Sequence, residues 1–223
     1  MNILVICDNN MVLEKIDGIF LKNKERYQYQ HVITSSDQIC FDDCIDRYDL
    51  IISAHCKKII PSKVINNVRC INIHPGYNPI NRGWFPHIFS IVNKQTAGAT
   101  IHLIDDKVDH GPIIARKSVN IETTDDSYSL YLKILKCEFE LFEEYFDCII
   151  NNTCSTFMPE SEGNLNKKKD YEMLRKLDLQ NVDTLENHIN LLRSLTHNNY
   201  NNGYFVDGDG NKIYLKLKLE KET

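Results

Sequence analysis

Asn72, His74 and Asp109 have the types and settings that could carry acyl transfer between a carbonyl carbon and an amine. The first two lie in Cys70-Ile-Asn-Ile-His-Pro-Gly-Tyr-Asn-Pro79. Side chains alternate along a strand, so Asn72 and His74 share one face and Ile71 and Ile73 the other. An apolar strand that places an amide and an imidazole on one face at its carboxyl end serves either a backbone-capping network or a ligand. Ligands of open α/β sheets bind beyond those strand ends. Asp109 lies in Ile104-Asp-Asp-Lys-Val-Asp-His-Gly-Pro-Ile113, where three acids in five positions also suit an ordinary solvated turn. If Asp109 meets His74 in space, the carboxylate raises the imidazole's proton affinity and fixes its orientation, which suits a general base. Asn72 could then donate amide hydrogens to an oxygen that becomes negative as a carbonyl is attacked.

These residues need strands to carry them, and the first two-thirds of the chain alternates strand and helix signals. Residues 2–7 form a nearly continuous apolar run, the pattern of a strand covered on both faces. Val12, Ile16, Ile19 and Phe20 follow at helical spacing. Strands are expected over 31–34, 50–53, 68–73, 99–104 and 113–121, and helices after Pro61, over 85–92 and over 127–150. The last of these keeps Tyr131, Ile134, Leu135, Leu141, Phe142, Tyr145 and Ile149 on one stripe. This alternation predicts an α/β domain with an open, mostly parallel sheet over roughly 1–150.

Residues 151–169 are polar and should cross the surface; helices are expected over 170–177 and 182–195. The end reads as a hairpin: 204–206, a turn at Asp207-Gly-Asp-Gly-Asn211, and a strand over 212–219. In that strand Ile213, Leu215, Leu217 and Leu219 alternate with Lys212, Tyr214, Lys216 and Lys218, giving one apolar face that must pack on its own domain or on a second copy. Residues 151–223 are therefore read as a helix and β-hairpin extension, a candidate dimerisation element.

With 42% hydrophobic and 26% charged residues the composition is that of a globular domain with a core. A net charge of −5 disfavours nucleic-acid binding. No apolar run approaches the roughly 18 residues that span a bilayer. The opening apolar run meets Asp8 too soon for a signal peptide, so the expected compartment is the cytoplasm. The eight cysteines include no CxxC pair and read mostly as small buried hydrophobes rather than disulfides. No metal site is expected.

The ordered set Asn72-Ile73-His74, Pro75, Asp109 and Gly111 resembles the signature of the folate-dependent formyltransferases. Asn78-Pro79 and Arg82-Gly-Trp-Phe-Pro86 resemble the neighbouring loop of its sugar and aminoacyl-tRNA branches. Ser161-Glu-Gly-Asn164, Lys167-Lys168, Leu192-Arg-Ser-Leu-Thr196 and Tyr204-Phe205 are similar to the sugar N-formyltransferases in particular, so the likeness runs over nearly the whole chain. It implies a Rossmann-like catalytic domain, 10-formyltetrahydrofolate as co-substrate without a metal, and a dTDP-linked amino-dideoxy sugar as acceptor, with dTDP-4-amino-4,6-dideoxyglucose as the branch most resembled and O-antigen synthesis as the setting. Catalysis would rest on Asn72, His74 and Asp109. Substrate contacts would come from Asn9, Lys57, Tyr77, Asn78, Arg82 and Tyr200, and folate contacts from Ile59 and Asp105. A homodimer through the C-terminal hairpin is expected. Asn9 could equally cap the following helix, His102 reads as structurally satisfied, and His87 stands where the resemblance implies a neutral amide. Four alternatives compete. A tRNA formyltransferase would want a basic C-terminal domain, and a purine-type enzyme has no evident use for the hairpin. A deformylase would use the same three residues with water. A non-catalytic binding module would leave the three apart.

Overall fold

The computed structural model describes residues 1–22, 27–33 and 39–222. Its elements, in chain order, are β1 (Asn2–Cys7), α1 (Asn10–Leu21), β2 (Gln28–Ile33), β3 (Leu50–Ala54), α2 (Ser62–Ile65), β4 (Arg69–His74), β5 (Arg82–Gly83), α3 (Pro86–Val92), β6 (Ala97–Leu103), β7 (Ile113–Val119), α4 (Ser127–Ile150), β8 (Leu165–Asn166), α5 (Lys168–Arg175), α6 (Leu185–Leu195), β9 (Tyr204–Val206) and β10 (Lys212–Tyr214). Six strands form one sheet in the order β2-β1-β3-β4-β6-β7. β2, β1, β3 and β4 run parallel, β6 pairs antiparallel with β4, and β7 pairs antiparallel with β6 at the sheet edge. Thr34, the expected end of the second strand, lies outside the described residues.

The continuous apolar runs of β1 and β3 are buried on both faces, as parallel strands between two layers require. On one face Ile3, Val5 and Ile52 pack with Ile16 and Phe20 of α1 and Leu141, Phe142 and Phe146 of α4. On the other, Leu4, Ile6 and Ile51 pack with Val64 of α2, Val68 and Cys70. α4 spans the predicted residues, opened by a capping box in which the Asp126 carboxylate accepts from the Ser129 N–H and the Ser129 hydroxyl accepts from the Asp126 N–H.

The C-terminal region departs from expectation. Residues 151–169 are not a plain surface loop: Phe157 exchanges backbone hydrogen bonds with Ile113, and β8 pairs with β5. The last strand ends at Tyr214. Beyond it the Leu215 N–H bonds to Gly203 O and the Leu217 N–H to the Thr196 hydroxyl, so the segment leaves β9 to follow the end of α6. Cys148 and Cys154 form a disulfide, where the sequence reads the cysteines mostly as small buried hydrophobes. α4 ends two residues after Cys148, and the Thr153 N–H reaches back to Cys148 O, which brings the two Cα atoms to 5.0 Å. Cys7, Cys44, Cys70 and Cys137 are buried thiols. Among the described residues no helix is long and apolar enough to cross a membrane.

Candidate active site

β4 lies between β3 and β6 and ends at His74, with Asn72 opposite Ser53 on one side and His102 on the other. Asp109 is far along the chain and reaches this point because its loop is pinned. Asn78 Nδ2 donates to Asp109 O at 2.9 Å, and Arg82 Nη1 donates to Val108 O at 3.1 Å. Gly111 lies so close to Leu103 that a Cβ there would sit 2.0 Å from its carbonyl oxygen. Asp109 itself takes φ +48, a left-handed conformation uncommon outside glycine and concentrated at functional sites.

The three residues therefore converge. Asn72 Nδ2 donates to Asp109 Oδ1 at 2.9 Å; Asp109 Oδ2 accepts from the Gly83 N–H at 3.0 Å and lies 3.4 Å from His74 Nδ1. His102, read from the sequence as structural, belongs to the same cluster: its Nε2 is 3.3 Å from Asn72 Nδ2 and 3.6 Å from Asp109 Oδ1. Its Nδ1 faces Leu103 O at 2.7 Å, and a carbonyl only accepts, so the proton is assigned to Nδ1 and Nε2 accepts from Asn72. The signal that could have found His102 was cross-strand register, which one strand's periodicity does not contain.

His74 is buried and its Nε2 has no protein partner. Gly76 keeps that nitrogen open, since a Cβ there would lie 2.4 Å from Nε2 and 3.1 Å from Pro86 Cβ. Burial lowers the proton affinity of His74 by more than the attraction of Asp109 raises it, so the imidazole is neutral at pH 7. Asp109 stays ionised: burial works against its charge, but the His74 imidazole and the Gly83 N–H hold it well below the usual carboxylate range.

The remaining candidates are spread more widely. Asn78 and Arg82 are buried and hold the Asp109 loop. The Tyr77 ring lies under the Arg116 guanidinium, 4.7 Å away. Asn9 caps α1 through its Oδ1, accepting from the N–H groups of Met11 and Val12, and its Nδ2 donates to the Tyr131 hydroxyl at 3.0 Å. Lys57 is exposed, its backbone N–H bonded to Asp8 Oδ2. Ile59 is 80% exposed and Tyr200 69%. Asp105 engages His110 Nδ1 at 2.7 Å and the Lys107 N–H. Among the described residues, no hydrogen bond or ring contact ties Lys57, Ile59 or Tyr200 to the triad.

A second group was not read from the sequence. His55, at φ +52 just past β3, places Nε2 at 2.9 and 3.2 Å from the two carboxylate oxygens of buried Glu138 on α4. The Tyr131 hydroxyl lies 3.5 Å from His55 Nδ1. The Tyr131, His87 and His197 rings then form a tilted box with centroids 5.3 to 5.9 Å apart. Its members come from α3, α4 and the segment after α6, and no single helical or strand period links them.

Comparison with known proteins places this geometry. The formyl transferase family model matches residues 2–145, and the model of the N-formyltransferase dimerization C-terminal domain matches 170–221. A dTDP-4-amino-4,6-dideoxyglucose formyltransferase from Mycobacterium tuberculosis is 48% identical over 180 residues, covering 81% of this chain and 77% of the relative. The crystal structure of a 4-N formyltransferase from Francisella tularensis superposes with a TM-score of 0.89 at 38% identity, covering 99% of this chain and 98% of that one. A formyltransferase from Anoxybacillus kamchatkensis, solved with UDP-4,6-dideoxy-4-formamido-L-AltNAc and tetrahydrofolate, aligns at 26% identity and a TM-score of 0.67 over 78% of this chain and 89% of its own. With a family model matched across the whole catalytic sheet and a 48% identical relative spanning most of both chains, this chain belongs to the formyl transferase family.

Proposed function

We propose that the protein transfers the formyl group of 10-formyltetrahydrofolate to the amine of a dTDP-linked amino-dideoxy sugar, dTDP-4-amino-4,6-dideoxyglucose, in the cytoplasm and for O-antigen synthesis, as a homodimer formed through its C-terminal hairpin. One observation carries the reading. A neutral, buried His74 turns Nδ1 to the Asp109 carboxylate and presents an unpartnered Nε2, with a glycine keeping the approach open. The acceptor is inferred from the Mycobacterium tuberculosis relative, and the folate and nucleotide-sugar pairing from the bound Anoxybacillus enzyme.

The residues fit a bound formyl donor: the open His74 Nε2 and Asn78 Oδ1, on the residue that holds the Asp109 loop, are buried polar atoms with no partner in the protein. The folate would supply the electrophilic formyl carbon, whose bond to the folate nitrogen breaks as the bond to the sugar amine forms, so that tetrahydrofolate leaves. His74 accepts on Nε2 the proton lost by the attacking sugar nitrogen, while Asp109, facing Nδ1, selects the Nδ1–H tautomer and stabilises the imidazolium. Asn72 has both amide hydrogens engaged, with Asp109 and with His102. Releasing the longer bond to His102 frees one for the developing oxyanion, at the position where such a donor acts. Asn78 and Arg82, first expected to touch substrate, are assigned to holding the Asp109 loop. Asn9, Lys57, Tyr77 and Tyr200 remain the candidate substrate contacts, and Ile59 and Asp105 the folate contacts.

The test is an assay of purified protein with 10-formyltetrahydrofolate against a panel of nucleotide-linked amino sugars. Tetrahydrofolate released only when one amino sugar is present supports the proposal. Release without any sugar would instead make the enzyme a deformylase.

A further inference from the structure

His87 stands first after Pro86 in α3 and is buried, with an Nδ1 that meets no donor or acceptor of the protein. A phenylalanine would fill the same space without leaving a polar atom unpaired, a defect that costs about 1–3 kcal/mol. Its chain neighbour Pro86 lies beside the reaction centre: a Cβ at Gly76 would stand 3.1 Å from Pro86 Cβ and 2.4 Å from His74 Nε2. Around His87 the Tyr131 and His197 rings are tilted rather than stacked, at 44° and 50° to the imidazole.

We propose that His87 is a specificity-determining residue: its Nδ1 hydrogen-bonds one ring hydroxyl of the amino sugar, while the Tyr131 and His197 rings pack against the sugar's C–H surface. This rests on the sugar-formylating reading above and narrows it to one contact. Burial, helped by the imidazoles of His197 and His55, drives the His87 pKa down to about 3, so the ring is neutral at working pH. A neutral imidazole has one donor and one acceptor nitrogen, and a hydroxyl can meet either tautomer. A phosphate, by contrast, calls for charged or multiple donors, which this box lacks. Apolar walls with a single well-placed polar atom are the usual make-up of a small-molecule subsite. Tyr131 is fixed from below by Asn9 and His55, so the wall is held in place before a ligand arrives.

The experiment compares wild type, His87→Phe and His87→Gln on paired nucleotide-linked amino sugars that differ by one ring hydroxyl. His87→Phe should lower kcat/KM for the hydroxylated member of one pair by about 10- to 100-fold, mostly through KM, because a buried polar group left without its partner discriminates strongly. It should change the deoxy member by less than about threefold. His87→Gln, whose amide can still reach a hydroxyl, should stay within about tenfold of wild type. Equal losses on both members of every pair, or no loss, overturn the proposal. If His87→Phe does not fold, as judged by its melting curve, His87→Gln decides alone, and an unchanged preference within every pair overturns it. Calorimetric binding of the same sugars without folate separates the two readings. If wild type formylates nothing but binds the hydroxylated sugar more tightly than a His87 variant, the functional reading fails and the contact stands. Turnover with no His87-dependent preference fails the contact alone, and absence of both turnover and binding fails both.

Discussion

The polar cluster at the end of β4 and the hairpin of β9 and β10 satisfy their groups in opposite ways. At the end of β4, Asn72, His102, Asp109 and the Gly83 N–H meet one another in a buried network that leaves one imidazole nitrogen open. In the hairpin the backbone pairs fully over three residues, yet Val206, Ile213 and Tyr214 each remain 40% or more exposed. The first region is complete except for a small polar partner, and the second is complete except for an apolar surface. That contrast sets a buried polar cluster apart from an exposed apolar surface within one 223-residue chain.

The contrast breaks first at His74. His74→Ala should lower kcat by about 10²- to 10⁴-fold, the range for loss of a positioned proton acceptor, while nucleotide-sugar affinity stays within about tenfold; retained turnover would remove His74 from the chemistry. Gly76→Ala places a Cβ on Nε2 and should cost about 10²-fold in kcat with an intact fold, as small misplacements at a reacting centre do. Stopped-flow single turnovers would show the loss in the chemical step. A third test uses pH. The His87 pKa is depressed in the folded state, so the unfolded chain binds the proton more readily, and stability is lost as pH falls from about 6.5 toward 3. Between pH 7 and 5 this amounts to about 2 kcal/mol, and His87→Phe should remove that part of the acid sensitivity in denaturant titrations. The smallest catalytic effect belongs to the hairpin. Ile213→Asp should shift sedimentation toward monomer and leave kcat/KM within about threefold; a larger loss would show that the two regions are coupled.

Much of the catalytic domain was legible because it is governed by local periodicity. The both-face burial of β1 appears as an unbroken apolar run, the Asn72 and His74 pair as alternation, and α4 as a helical stripe whose bounds the structure reproduces. What escaped depends on neighbours in space. His102 joins the cluster through β4–β6 register, and the His55–Glu138 pair and the ring box form only where α3, α4 and the end of α6 meet. The hairpin's strict alternation was read as one long strand, yet the same pattern also suits a segment whose Leu215 and Leu217 lean on the body while Lys216 and Lys218 face outward. The disulfide needed the reversal after α4, which no spacing of cysteines announces.

The first turn of α4 ties the two ends of the molecule together. Ser127 donates its N–H to Thr196 O and its hydroxyl meets His197 Nδ1, while Tyr131, one turn further on, forms a wall of the ring box. The same short stretch that carries His197 also anchors the chain's final residues, through the Thr196 hydroxyl and the Leu217 N–H. Removing the tail would free the Thr196 hydroxyl next to His197, so truncation after Gly203 should lower the melting temperature and weaken the proposed sugar binding even in a protein whose triad is untouched.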